Sequence, residues 1–122
     1  MQTEQEIESA CIKWANSQDD LFAFKFPRGQ KSYSRRNTVT ASGNGVSDIV
    51  LNMTIYGIMF TCYIEVKKPG GKLRTSQYEF QDRITKMGGH CATVFSLPEF
   101  KERVTELRKV YIDDIAIAKI PW

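Results

Sequence analysis

Two runs of β-branched and aromatic residues, 48–55 and 58–67, meet at the dipeptide Tyr56-Gly57, and no other stretch constrains the chain as strongly. Runs of this length and composition read as strands, and the glycine between them reads as the turn of a hairpin. With a two-residue turn, Ile55 faces Ile58 and every opposed pair of residue numbers has the same sum, so Asp48 faces Glu65. Directly opposed residues of an antiparallel pair share a face, with Cβ atoms about 5 Å apart. Lys67, two residues beyond Glu65, falls on that face by strand alternation. Two carboxylates held so close repel each other and call for a cation. Hard oxygen donors at that separation suit Mg²⁺ or Mn²⁺, and the adjacent ammonium suits a phosphate oxygen or an attacking water. On the residues alone two alternatives stay open. A three-residue loop would send Asp48 and Glu65 to opposite faces, and Tyr-Gly lacks the asparagine that favours a type I′ turn. Asp48 equally suits a turn cap after Gly45, with Glu65 and Lys67 as charges on a solvated face.

The flanking sequence supplies helices and two more strands. Ile7, Cys11 and Trp14 recur at helical spacing in residues 4–17, with Thr3 as cap and Glu6 three positions on. Residues 21–26 read as a short aromatic strand ended by Pro27. Residues 76–87 place Tyr78, Phe80, Ile84 and Met87 on a second helix that closes at Gly88-Gly89. A fourth strand over 91–97, a last helix over 99–110 opened by Pro98, and an apolar tail over 111–122 complete the order α-β-β-β-α-β-α. Trp14, Tyr78, Phe80 and Phe95 read as core. At 122 residues, 42% hydrophobic and 25% charged, the chain has the composition of one folded domain spanning 1–122, which excludes fibrous, disordered and coiled-coil descriptions of the whole.

Seventeen basic against fourteen acidic residues leave a net charge of +3, too little by itself to argue for nucleic-acid binding. Its distribution says more. The loop 28–45 holds Arg28, Lys31, Arg35 and Arg36 and no acid, and Tyr33 within it could stack on a base. Such a loop reads either as a solvated segment or as a row of phosphate contacts that position a nucleic acid without reading its sequence. The stretch 49–66 is interrupted by polar residues and reads as strands, so no membrane association is expected. The first fifteen residues, with Glu4, Glu6 and Glu8, lack the order of a signal peptide. Cys11, Cys62 and Cys91 read as reduced thiols, which points to a cytoplasmic setting, that of the host cell if the protein is phage-encoded. The lone His90 excludes a histidine zinc site or a serine triad and suits turn duty.

At these residues the sequence resembles the PD-(D/E)XK nuclease superfamily, and within it the small stand-alone VRR-Nuc proteins of phages and bacteria. Gly45-Val46-Ser47-Asp48 resembles the family's G-x-P-D element, Glu65-Val66-Lys67 its E-x-K, and Gly71-Lys72-Leu73 with Ser76-Gln77 the G-x-L…x-Q segment that opens the next helix. The chain departs from the pattern at Ser47, where proline is usual.

The resemblance implies a restriction-endonuclease-like α/β fold with an αβββαβ core, a mixed four-stranded sheet flanked by helices. It implies that Asp48, Glu65 and the Val66 carbonyl bind Mg²⁺ or Mn²⁺, that Lys67 orients or activates the attacking water, and that Gln77 contacts water, metal shell or phosphate. Related junction resolvases add an acid from the first helix in an E-x-x-(apolar) setting, which Glu4 with Ile7 fits best and for which Glu8 competes. Arg28, Lys31, Arg35 and Arg36 would meet DNA, assisted by Lys68, Lys72 and Arg74. The expected activity is metal-dependent endonucleolytic cleavage of DNA, on branched or Holliday-junction-like substrates. The competing readings are a nuclease on duplex or single-stranded DNA in phage replication or packaging, and a non-catalytic nucleic-acid-binding assembly module. Ile112, Ile115, Ile117, Ile120 and Trp122 suggest a homodimer interface.

Overall fold

The computed structural model describes residues 2–26 and 46–118. The basic loop with Arg28, Lys31, Tyr33, Arg35 and Arg36, together with Ile120 and Trp122, lies outside the described residues. Helix α1 (Glu4–Asn16) starts at Thr3 through a reciprocal cap: Glu6 N–H donates to Thr3 Oγ1 at 3.1 Å, and Thr3 N–H donates to Glu6 Oε1 at 2.8 Å. Strands β1 (Leu21–Lys25), β2 (Ile49–Ile55) and β3 (Ile58–Val66) follow, then helix α2 (Thr75–Lys86), strand β4 (Cys91–Val94) and helix α3 (Leu97–Ala118). The sheet runs β1-β2-β3-β4, antiparallel across the first two junctions and parallel between β3 and β4. This is the mixed four-stranded sheet with flanking helices that the sequence leads one to expect.

The hairpin register is the two-residue one, with Ile55 opposite Ile58 and Ile49 opposite Ile64. Tyr56 and Gly57 both take positive φ, 53° and 78°, as a type I′ turn demands. The turn closes without asparagine because a tyrosine, 78% exposed and free of packing demands, accepts the left-handed conformation.

One face of the sheet is apolar and covered. Leu21, Ala23, Ile49, Leu51, Met53, Ile55, Cys62, Ile64 and Val66 form a single cluster with Ile7, Cys11 and Ala15 of α1 and Phe100, Val104, Leu107 and Tyr111 of α3. Trp14 meets Phe100 edge-on at 5.9 Å between ring centroids. The other face carries α2, where Phe80 meets Tyr63 of β3 edge-on at 5.4 Å. Phe22 and Phe24 of β1 stay exposed on that face.

Three expectations need correction. The last helix does not stop at Val110. It starts at Leu97, and residues 111–118 of the expected tail continue it, because no glycine or proline interrupts the stripe Phe100, Val104, Leu107, Tyr111, Ile115. Strand β4 correspondingly ends at Val94. Ser96 Oγ accepts from Glu99 N–H at 3.2 Å, a helix-start contact that claims the residues expected to finish the strand. Tyr78 is 59% exposed and so does not belong to the core, and Met87, expected within the second helix, lies just past its end at Lys86 as the C-cap. Short α2 buries only Gln77 fully, and its partly apolar pattern overstates what it hides.

Candidate active site

The adjoining ends of β2 and β3 bring the chemistry-bearing residues together. Asp48 directly precedes β2 and is 6% exposed; its Oδ2 accepts a 2.8 Å hydrogen bond from Val66 N–H, across the hairpin. Its carbonyl accepts from Phe26 N–H at 2.9 Å, extending the β1–β2 pairing to the site. Asp48 is therefore locked to the strand that carries Glu65 and Lys67. Glu65 is 2% exposed, and Lys67 follows the end of β3, held by its N–H on the Val94 carbonyl at 3.0 Å. The Lys67 ammonium lies 4.0 Å from Glu65 Oε2, with both side chains largely buried.

Gln77, from α2, reaches the same carboxylate oxygen. Its Nε2 donates to Glu65 Oε2 at 2.8 Å, while its Oε1 accepts from Arg74 N–H at 2.7 Å, satisfying one of the otherwise open donors before α2. One amide thus starts the helix and anchors Glu65. Of the flanking cations, Lys68, Lys72 and Arg74 are all exposed around this end of the sheet.

The first-helix acid that meets the cluster is Glu8. It is 7% exposed and in hydrogen-bonding contact with Asp48, and burial first, then the Asp48 charge, push its carboxyl pKa up; Lys25, 3.3 Å away, opposes the shift. Glu4 instead turns to the start of the loop after β3, where its Oε2 accepts from Lys68 N–H at 3.2 Å. The signal that favours Glu8 lies in the helical spacing: it borders the buried stripe Ile7, Cys11, Ala15, so its side chain is carried under the sheet edge. Lys25 is the residue that motif reasoning missed. The alternation of β1, with Leu21 and Ala23 inward, was the available sign that Lys25 turns towards α1.

The donor set suits a hard divalent cation. Glu8 and Asp48 are two carboxylates pressed together in a buried place, an arrangement that needs either a shared proton or a cation. Among the described residues no three His, Cys, Asp or Glu side chains come together as a group that could hold a metal ion by themselves. Mg²⁺ is commonly held by few protein ligands and completed by water and substrate oxygens, so these acids would serve as an open set in which no three need meet at once.

The remaining candidates serve the scaffold. His90 Nε2 lies 3.3 Å from Asp114 Oδ2 and the ring meets Tyr111 edge-on, tying the β4 entry to α3. Cys11, Cys62 and Cys91 are free, and burial pushes the first two thiols up to about 12 and the third to about 11, so none is a ready nucleophile. Among the described residues no helix is long and apolar enough to cross a membrane.

No family model matches the chain, and no curated protein matches it. Among solved structures, the chain is similar to one described as a "VRR_NUC domain protein", with a TM-score of 0.59, 19% sequence identity, and an alignment covering 85% of this chain and 86% of that chain. The sheet order, the helices on its two faces and this likeness make the fold restriction-endonuclease-like, of the α/β kind shared with a VRR_NUC domain protein.

Proposed function

We propose that the protein is a VRR-Nuc-type nuclease that hydrolyses DNA phosphodiester bonds with the help of Mg²⁺ or Mn²⁺. The observation that carries the reading is the convergence of buried Asp48, Glu65, Lys67 and Gln77 at one end of the sheet, on a fold shared with a VRR_NUC domain protein. A protein that only bound nucleic acid would gain nothing from burying carboxylates where phosphates approach.

Asp48, Glu65 and the Val66 carbonyl, joined by Glu8, are the groups that would hold the metal. Bound there, it would offset the charge that builds on the phosphate and lower the pKa of a bound water. Gln77 fixes the Glu65 carboxylate in one rotamer, and Asp48 is fixed by Val66 N–H. Lys67, with its ammonium near Glu65 and its stem buried, presents one positive charge to the attacking water or to a non-bridging oxygen. Lys68, Lys72 and Arg74, with Arg28, Lys31, Arg35 and Arg36 of the preceding loop, would contact backbone phosphates. Val110, Ile112 and Ile117 leave apolar surface on α3, which we assign to self-association into a homodimer able to present two sites to a branched substrate.

The test is incubation of the purified protein with four-way junction, flap, nicked, duplex and single-stranded DNA in Mg²⁺, Mn²⁺ or EDTA, beside Glu65→Ala. Metal-dependent cleavage that falls at least about 100-fold in the variant is expected, the usual scale for losing one group that stabilises the transition state. Binding without metal-dependent cleavage of any substrate would overturn the reading in favour of a binding module.

A further inference from the structure

A cleft of about 510 Å³ opens beside the acid cluster, walled by Lys67, Lys72, Leu73, Tyr78, Thr93 and Phe95. It adjoins the candidate site through Lys67, whose ammonium lies 4.0 Å from Glu65 and whose side chain lines the cleft. Tyr78 follows Gln77 directly in α2. Gln77 is buried and points at Glu65, so the helix turns the next residue outward, leaving a tyrosine ring 59% exposed at the mouth of the cleft. Tyr78 is the exposed aromatic wall of the cleft, whereas Phe95 is half-buried. Thr93 offers a hydroxyl whose oxygen accepts from Gln81 Nε2 at 3.1 Å and whose proton can still be donated.

Resting on the nuclease reading, we propose that this cleft receives one unpaired nucleotide adjacent to the bond that is cut. The walls match its parts. Tyr78 and Phe95 offer aromatic surface to a base, Lys67 and Lys72 meet the phosphates on either side, and Thr93 can donate to a base edge. A base within continuous duplex has both faces stacked and its pairing edge used, so it enters only by being extruded from the stack, a cost an unpaired base does not meet. The substrate class that follows is DNA with single-stranded character at the cut, as at the end of a flap, a junction arm or a free strand.

The test measures fluorescence anisotropy of a labelled oligothymidylate and of a continuous duplex in EDTA, so that nothing is cut, for the native protein, Tyr78→Ala and Tyr78→Phe. The exposed position lets either variant fold, which circular dichroism verifies. Tyr78→Ala is expected to weaken oligothymidylate binding about five-fold or more, the low end of what one stacked base contributes, and duplex binding less than about two-fold. Tyr78→Phe, which keeps the ring, is expected to stay within about two-fold of the native protein on both. Equal weakening on both ligands, or no weakening on either, overturns the cleft assignment. If the native protein still cuts DNA in that case, the nuclease reading stands alone; if it neither binds nor cuts any DNA, both fall.

Discussion

Gln77 Nε2 donates to Glu65 Oε2 across 2.8 Å while the other end of the same amide accepts from Arg74 N–H. The start of α2 and the orientation of a buried carboxylate are therefore one structural event. The two roles can be separated by substitution. Gln77→Ala removes both contacts and is expected to cost about 1–3 kcal/mol of stability, since Glu65 loses a buried partner. Gln77→Glu keeps the acceptor for Arg74 N–H but sets a second carboxylate against Glu65, so urea unfolding should show a penalty that shrinks on acidification. A Gln77→Glu variant as stable as the native protein at all pH values would break this account.

The first-helix acid has its own test. Thermal unfolding with and without Mn²⁺ should show stabilisation that Glu4→Ala retains and Glu8→Ala loses, because Glu8 contacts Asp48 whereas Glu4 bonds a backbone amide in the loop. Equal Mn²⁺ responses in the two variants would remove Glu8 from the proposed metal site.

Glu8 also sets the direction of a pH dependence. Burial and the Asp48 charge raise its carboxyl above the ordinary value of 4.5, with Lys25 acting the other way. The folded state then holds a proton that the unfolded state has already released. Stability from this group is fully present below the unfolded pKa and declines as pH rises through the folded one. Metal-free protein should accordingly lose stability as pH climbs above about 4.5, and Glu8→Gln should flatten that limb in calorimetric scans across the acidic range.

Tyr56→Asn should stabilise the hairpin by about 0.5–1 kcal/mol, because asparagine tolerates the left-handed conformation that tyrosine adopts at φ 53°. The tyrosine ring is 78% exposed, so little packing is lost with it. Denaturant titration reads the gain directly, and a loss of stability would mean that the ring contributes more than its exposure indicates.

Local pattern determined much of this protein. The alternation of 48–55 and 58–67 about Tyr56-Gly57 set the register that carries Asp48 against the Glu65–Lys67 strand, since side-chain period and turn length are properties of the chain itself. Thr3 with Glu6, and Gly88 after α2 at φ 90°, marked helix ends for the same reason. Local pattern carried the choice between Glu4 and Glu8 only as far as placing Glu8 beside the stripe Ile7, Cys11, Ala15. Both lie on one helix four residues apart, and only the docking of α1 against the edge of the sheet brings one of them to Asp48 and Lys25. The exposure of Tyr78 was equally hidden, because an apolar residue in a short helix is buried only where another element covers it, and the sheet covers α2 along the line of Gln77, Phe80 and Gln81. Length fooled the pattern once more at Val110, where the expected tail proved helical: the stripe continued, and burial of Tyr111 against Phe60 at 4.4 Å rewarded its continuing. Register and caps are decided within a few residues of chain. Which acid reaches Asp48 and which aromatic stays open are decided by what packs where, and that exists only in the folded molecule.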